Sequence, residues 1–482
     1  MKLEVRSDYR GSRVLNTINW NMKKSFNIII LCIAALSLVG CDALKSLHSE
    51  YKSQATVPAD AFGQNVTLTG DTNSIAELSW REFFTDPLLQ RLIDTALVRN
   101  TDINSARIAI QQAEESLKAA KQAFFPSVFF SPSGSISSFG GSAAAKTYNV
   151  PLQVNWDIDA FGSIKSNKRK SQTQLLHAKT AEQAVKASII SAVAQQYCTL
   201  LLLDQQLEIL MATDSLWEIS LETQKTLWEN GMSYSTAVNQ MEASYLNVKT
   251  SIVDNRRNIR EVENAICSLL AITPRHIERS HLGSYSLPRS FKTGVPAMLL
   301  QYRPDVKMAD YAMAEAYYDT QAARAAFYPS ISLQGLAGWT NDAGGAVVNP
   351  GKILLNAVAS LAQPIYAQGK LKANLKINQL EQEKLMNQYV QTVIDAGNEV
   401  NEALADCQAA TEKHDFYHRQ VEVLKDAYRG THELMDNGKA IYLEVLTAQE
   451  TLLNAQLNEA VNMYNGAMGI IELYIALGGA TH

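Results

Sequence analysis

Ala123-Phe124-Phe125-Pro126-Ser127-Val128 returns 203 residues later as Ala326-Phe327-Tyr328-Pro329-Ser330-Ile331, each copy preceded at the same distance by Asp102-Ile103 or Asp305-Val306. Farther on the offset becomes 207: Gly162 falls on Gly369, Lys165 on Lys372, and Asn230-Gly231 on Asn437-Gly438. The four extra residues fall between, near Gly140-Gly141 and Gly344-Gly345, which read as outward-facing hairpin ends. Two copies of so large a unit mark a duplication rather than a solenoid array.

Proline and glycine then draw the pieces of each copy. No proline separates Pro151 from Pro274 or follows Pro364, and Gly231 is the single glycine between Ser163 and Thr273. Such intervals predict long helical hairpins turning at Asn230-Gly231 and Asn437-Gly438, because proline breaks helices and glycine weakens them. Ser163 to Trp228 would run roughly 100 Å at the helical rise, deeper than a compact domain core. Its small positions Ala181, Ala184, Val185, Ser188, Ala192 and Gln195 recur every three or four residues, the spacing of closely packed helix pairs. A solvent-exposed coiled-coil rod would share that pattern.

Ahead of each hairpin the sequence predicts a short helix, about Ser105 to Gln122 and Val306 to Ala325, and then two stretches of period two. Val150, Leu152, Val154, Trp156 and Ile158 alternate with Asn149, Gln153, Asn155, Asp157 and Asp159. Ile331, Leu333, Ala337 and Trp339 alternate in the same way with polar or small residues, and Val128, Phe130, Ile136, Leu355, Leu361 and Ile365 mark weaker versions. Too few other residues remain to cover the apolar face from within, so the pattern fits a membrane barrel with lipid on one side and water on the other. Four strands of about 10 residues span a bilayer when tilted but cannot close. Several chains must share one barrel, and counting alone allows eight, twelve or sixteen strands.

Before these pieces stands an address. Lys23-Lys24 precede an apolar run from Phe26 to Val39, ending Leu38-Val39-Gly40-Cys41. The run is too short to span a bilayer and has the length of a signal core; the small residues beside Cys41 form a lipobox whose thiol takes a diacylglycerol. An uncleaved anchor with an incidental cysteine is the plainer alternative. Residues 1–40 are read as signal peptide plus extension, with the start codon at Met1 or Met22. The further division is 41–100 for an N-terminal segment with the first short helix, 101–273 for the first repeat, 274–303 for a linker and 304–482 for the second repeat. Cys198, Cys267 and Cys407 remain, an odd number on separate helices, and read as small core residues rather than a disulfide framework.

Composition narrows the function. The chain has 482 residues, 46% hydrophobic and 19% charged, with net charge -5, so it folds and has no cationic surplus for nucleic acid. No nucleophile triad, paired-carboxylate or phosphate-loop pattern has a supporting context, which argues against an enzyme and against a cofactor. His414 and His418 stand four apart on a helix, a spacing that grips a metal only if a third ligand arrives; the first copy has Leu207 and Met211 there, and no metal is expected. Lys165, Lys168, Arg169 and Lys170, with Lys370, Lys372 and Lys376, follow the strand pairs directly and are read at the membrane's inner boundary, or else as a solvated helix face.

Taken in order, several motifs resemble the TolC-like outer-membrane factors, specifically the lipoprotein branch serving resistance-nodulation-division (RND) pumps. They are Trp80-Arg81-Glu82-Phe83-Phe84-Thr85-Asp86-Pro87-Leu88-Leu89, Ala96-Leu97 with Asn100 and Asp102-Ile103, Phe125-Pro126-Ser127-Val128, Arg303-Pro304-Asp305-Val306, Tyr442-Leu443, Ala448-Gln449 and Ala476-Leu477-Gly478-Gly479. The resemblance covers nearly the whole mature chain. It implies a mainly α protein with a small β part, assembled as a homotrimer with a twelve-stranded barrel continuous with a twelve-helix periplasmic tunnel. It also implies an outer-membrane location with the lipid anchor at Cys41, and passive export of small molecules received from a periplasmic adaptor and an inner-membrane pump. The hairpin tips at Asn230, Gly231, Asn437 and Gly438 would dock the adaptor, and Tyr442 lies beside them. Leu443 matches an apolar constriction, Glu444 an acidic ring and Thr447 a second acidic position from which this chain departs. Glu444 reads equally as a cap on the first turn of its helix. Asp42, after the lipidated cysteine, is a residue that in some bacteria retains lipoproteins in the inner membrane; the strands argue for the outer one. A protein-secretion exit duct, a periplasmic adaptor and a lipid-anchored scaffold without a channel are the rival readings.

Overall fold

Three helices of the second half repeat three of the first to the residue. A computed structural model describes residues 49–53, 78–138, 140–141, 144–282, 303–340 and 352–479. In chain order the elements are α1 (Trp80–Phe83), α2 (Pro87–Arg99), α3 (Thr101–Gln122), β1 (Ser127–Phe130), β2 (Ser133–Ser137), β3 (Ala145–Ile158), α4 (Ser163–Glu229) and α5 (Ser235–Leu269), followed by α6 (Pro304–Ala325), β4 (Ser330–Thr340), β5 (Lys352–Ala362), α7 (Lys370–Asp436) and α8 (Tyr442–Ala476). Both ends of α6 lie 203 residues after those of α3, and every end of α7 and α8 lies 207 after its counterpart in α4 and α5. The signal region, Cys41 and Asp42, most of the linker and Gly344-Gly345 lie outside the described residues.

The chain divides into two compact units. The first comprises Met1–Ser53, Ser116–Gln172 and Ala314–Gln382, and the second Gln54–Glu115, Thr173–Met313 and Glu383–His482.

In the first unit one antiparallel sheet runs in the order β1, β3, β4, β5, with β2 also paired to β3. The alternation predicts four strands, and five segments are present, for a local reason. Ser127 pairs with Asn155 and Ser133 with Asn149, so β1 and β2 follow one unbroken register along β3. The interruption falls at Ser131-Pro132 opposite Val150-Pro151, where two prolines remove ladder donors. β1/β2 is therefore a single strand path, and the count of four stands.

Register sorts the faces. Directly paired residues point to the same side, so Phe130, Leu152, Ala337 and Leu355 form one row across the sheet, and Ile158, Ile331 and Leu361 another. Asn155 with Gln334, and Asp157 with Ser332 and Ser360, form rows on the opposite face. The apolar side is left open: Phe130 is 67% exposed and Leu355 76%. Gly338 is required where it sits, since a Cβ there would lie 2.4 Å from the Val150 carbonyl oxygen.

The second unit is built on the helices. Ser79 and Glu82 close a capping box around α1: the Ser79 N–H donates to Glu82 Oε2 at 2.9 Å and the Glu82 N–H to Ser79 Oγ at 3.4 Å. Trp80, Phe83 and Phe84 are thereby turned inward, and Phe83 stacks on Tyr474 of α8 with ring centroids 3.9 Å apart. Each such ring contributes about 1.5–3 kcal/mol by burial. Pro87 opens α2 behind the N-cap Asp86, which explains the Thr85-Asp86-Pro87 order. Ile190, Val193, Tyr197 and Leu201 supply the α4 share of the core. The small stripe expected to seal that helix pair lies on the adjacent face: Ala184, Ser188, Ala192 and Gln195 line an open groove of about 340 Å³ with Arg303, Pro304 and Asp305. Cys198, Cys267 and Cys407 are buried core residues outside any disulfide, and burial beside Asp406 and Glu472 pushes the Cys407 thiol up to about 11.

Candidate functional site

Both hairpins turn by the same device. Asn230 ends α4, and Gly231, at φ +75°, takes the left-handed conformation that glycine adopts without strain. The Gly231 N–H then donates to Trp228 O at 2.9 Å and the Met232 N–H to Leu227 O at 2.8 Å, satisfying two carbonyls the helix leaves open. Gly438, at φ +69°, repeats this with Met435 O and, from Lys439, Leu434 O. The two asparagines match as well: Asn230 Nδ2 donates to Thr226 O and Asn437 Nδ2 to Glu433 O, both at 2.7 Å. The tips are exposed, Met232 at 69% and Tyr234 at 81%.

Tyr442 joins the two hairpins just above the turns. Its ring packs against the Leu221, Val238 and Met241 cluster and against that of Leu210, Trp217, Val248, Ile252 and Leu446. Its hydroxyl donates to Gln240 Oε1 at 3.4 Å, and Ser244 Oγ donates to Glu450 Oε1 at 3.0 Å. Burial, reinforced by Glu450, raises the Tyr442 phenol above its usual value, so the group stays a neutral donor. Leu443 is 48% exposed. Thr447 turns its hydroxyl back onto Leu443 O at 2.8 Å. Glu444 is exposed and accepts from the Ile441 N–H at 3.2 Å, which makes it the cap of the first turn of α8.

The first hairpin alone has a clamp near its tip. Lys249 Nζ donates to Asp214 Oδ2 at 2.9 Å and lies 4.9 Å from the Tyr245 ring centroid; the corresponding residues in the second copy are Gln456, Val421 and Leu452. A search for repeated motifs passes over such a difference; comparing the halves for broken symmetry would find it. Close to the same layer, Trp217 Nε1, Asp214 Oδ1 and both amide atoms of Gln449 are buried without a hydrogen-bond partner in the chain. Each costs about 1–3 kcal/mol, so the helices are held weakly at this height.

His414 and His418 stack with ring centroids 6.4 Å apart, and His418 Nδ1 meets Glu459 Oε1 at 3.1 Å, a surface pairing.

The family model for outer membrane efflux proteins matches residues 92–271 and 295–479. The chain belongs to the outer membrane efflux protein family. Its similarity to the cation efflux system protein CusC of Escherichia coli O6:H1 is 28% identity over 457 residues, covering 94% of this chain and 98% of the relative. The toluene efflux pump outer membrane protein TtgC of Pseudomonas putida is 25% identical over 478 residues, covering 94% and 95%. Among solved structures, a CusC crystal structure superposes with a TM-score of 0.80 at 27% identity, covering 88% of this chain and 99% of that one. The open-state MtrE channel of Neisseria gonorrhoeae gives 0.78 at 24%, covering 90% and 97%. As a family member the chain is a passive outer-membrane efflux channel with helices extending into the periplasm, and it is not an enzyme. The scaffold reading is thereby set aside.

Proposed function

We propose that three copies of this efflux channel assemble into a twelve-stranded barrel above a twelve-helix tunnel, anchored by a lipid on Cys41. Residues 41–100 and 274–303 would form the belt around the tunnel's middle. Small molecules would enter from an inner-membrane pump of the RND type through a periplasmic adaptor docked on the tips at Asn230-Gly231 and Asn437-Gly438. The observation that carries this reading is the sheet: four strand paths, one open apolar face and two unpaired edges, β1/β2 and β5. Open edges in lipid cost several kcal/mol per unpaired group, so closure by other copies is required.

The tip geometry supports a gate at the start of α8. Leu443 and Glu444 start α8, near a layer where buried polar atoms of Trp217 and Gln449 lack hydrogen-bond partners, and that deficit would ease movement of the helix end. Leu443 would narrow the tunnel as an apolar ring, and Glu444 would place like charges around it and attract cations. The relatives' names span cations and toluene, so cargo choice is assigned to the pump rather than to this conduit.

Chemical cross-linking and native mass spectrometry of the detergent-purified chain should give a trimer with steady single-channel currents in a planar bilayer. Leu443→Ala should raise conductance, and Glu444→Gln should lower cation selectivity. A monomer without currents would sink the assembly, whereas a conducting trimer indifferent to both substitutions would remove these two residues from the gate and leave Glu444 as a helix cap.

A further inference from the structure

One end of the sheet has a charge that the rest of the molecule lacks. β1 and β4 begin there and β3 and β5 end there, as the pairs Ser127 with Asn155 and Ser330 with Ala362 fix. The segments that enter and leave that end, 116–126, 159–172, 318–329 and 363–380, hold ten Lys or Arg and two Asp, in a chain whose net charge is -5. At least two of the cations are spent internally: Lys170 pairs with Asp319 at 2.8 Å and Arg169 with Glu50 at 2.6 Å. Asp159, one of the two acids, is also occupied, since its carboxylate accepts the Ile164 and Lys165 N–H groups at 3.0 and 2.8 Å and caps α4. Lys370, Lys372 and Lys376 project from the first turns of α7, all exposed and with no acidic partner among the described residues.

Cations at the N-terminus of a helix oppose its dipole, so this placement costs stability in both copies unless something compensates. Directly next to the collar, on the strand side, stands a set of exposed apolar and aromatic groups: Phe125 at 71%, Ile365 at 96% and Tyr366 at 85%. Lys168 Nζ bridges the two layers, lying 5.9 Å from the Phe124 ring centroid. Above them the sheet presents its open apolar face. The order from strand to helix is therefore hydrocarbon-facing, aromatic, cationic, which is the order of chemistry across a bilayer boundary from acyl chain to headgroup.

We propose that this collar is a binding surface for anionic phospholipids of the periplasm-facing leaflet, with Lys165, Lys168, Lys370, Lys372 and Lys376 engaging headgroup phosphates while Phe125 and Tyr366 sit at the acyl boundary. It rests on the barrel reading of the sheet and goes beyond it, because a barrel requires lipid but no particular headgroup. The occupant is a lipid rather than a free anion, since the charge is continuous with the lipid-facing surface and spread around it rather than gathered into a pocket.

Native mass spectrometry of the full-length detergent-purified protein, offered equal amounts of phosphatidylglycerol and phosphatidylcholine, tests this. Retention should favour phosphatidylglycerol by about tenfold at low salt and lose that preference near 0.5 M salt. Lys370→Gln/Lys372→Gln/Lys376→Gln, which alters only exposed groups, should remove most of the preference with the oligomer unchanged. The control Lys225→Gln/Lys425→Gln/Lys439→Gln, placed toward the hairpin tips, should keep it. Equal retention of both lipids by the wild type, no effect of the collar substitutions, or full displacement by millimolar inorganic phosphate would each overturn the proposal. Single-channel currents from the same preparation report separately on the barrel: a conducting channel with no headgroup preference rejects the collar alone.

Discussion

Asn100 and Arg303 are counterparts across the duplication, and each donates to the last helical carbonyl of the return helix in its own half. Asn100 Nδ2 reaches Leu269 O at 2.9 Å and Arg303 Nη1 reaches Ala476 O at 2.8 Å. The residues differ because their other tasks differ. Asn100 Oδ1 also caps α3, accepting the Asp102 and Ile103 N–H groups at 2.8 and 3.2 Å. Arg303 has no acceptor to offer, so Asp305 takes the Val306 N–H at 2.9 Å while Arg303 binds the carboxylates of Asp305 and Glu399.

Removing either donor should therefore weaken the fold by different amounts. Asn100→Ala loses a cap and strands one carbonyl, at about 1–2 kcal/mol. Arg303→Ala strands the Ala476 carbonyl and breaks its charge-assisted bonds to two carboxylates, Asp305 and Glu399, at about 2–3 kcal/mol, and Arg303→Lys should recover little because an ammonium cannot make the forked contact with Asp305. Apparent melting temperatures in detergent rank the three; full rescue by lysine would contradict the geometry.

A half-buried carboxylate ties the N-terminal motif to the linker. Asp86 Oδ2 accepts from Tyr197 Oη at 2.6 Å and from Ser280 Oγ, while Oδ1 caps α2 through the Leu88 N–H at 2.8 Å. Burial by itself would raise the Asp86 carboxyl, but the bonds from Ser280, Tyr197 and the backbone together outweigh it and hold the group below its ordinary value. A lowered folded pKa means the stabilisation is complete above the unfolded value of about 4 and is lost as pH falls through the folded value. Urea midpoints measured from pH 6 down to pH 3 should fall in the wild type. Asp86→Asn should start lower at pH 6 and fall less steeply; parallel curves would exclude Asp86 as the titrating group.

The long hairpins and their turns were legible because their signals are local. A lone glycine in a run free of proline marks Gly231, and a fixed offset carries the reading to Gly438. The lipid-type alternation was legible for the same reason, except at Pro132 and Pro151, whose joint effect on one register needs the pairing partners. What stayed hidden joins distant residues without a pattern. Nothing in the sequence brings Asp86 to Tyr197 and Ser280, or moves the small stripe of α4 from the core to a groove beside Arg303. At the tip, Tyr442 was visible as part of a motif, but its contact with Gln240 and the one-sided Lys249 and Asp214 clamp required coordinates. Glu444 was readable as a cap or as a ring charge, and its bond to the Ile441 N–H supports the first without excluding the second.

The C-terminal turns of α5 and α8 break the duplication in an informative way. Both close with the same hydrogen-bond pair, Ala271 N–H to Ser268 O at 3.0 Å and Gly478 N–H to Ile475 O at 2.8 Å being the inner members. Gly478 has φ +84°, but its counterpart Ala271 is held at φ +50° with a Cβ. Left-handed backbone costs an alanine about 1–2 kcal/mol, part of which glycine's unfolded-state freedom offsets. Ala271→Gly should thus stabilise by about 0.5–1 kcal/mol and Gly478→Ala should destabilise by a similar amount or more. Thermal shifts of the same sign for both would refute the strain.

The last prediction concerns the segment that follows the lipidation motif. Arg169 Nη1 donates to Ser49 O at 2.9 Å and Nη2 to Glu50 Oε1 at 2.6 Å, and Tyr51 meets Tyr317 with ring centroids 5.7 Å apart. Ser49 lies eight residues after Cys41, so the chain between them can extend at most about 28 Å. A lipid on Cys41 would therefore be leashed to the base of the sheet beside the cationic collar, and Arg169 would set where the leash is tied. Arg169→Ala should speed amide exchange across residues 49–53 by about tenfold while strand protection in β3 and β4 stays unchanged. Arg169→Lys should fall between, keeping an ion pair with Glu50 but not the second bond to Ser49. If exchange at 49–53 is the same in all three proteins, the contacts with Tyr317, Tyr318 and Gln321 suffice to hold the segment and Arg169 has no part in placing the anchor.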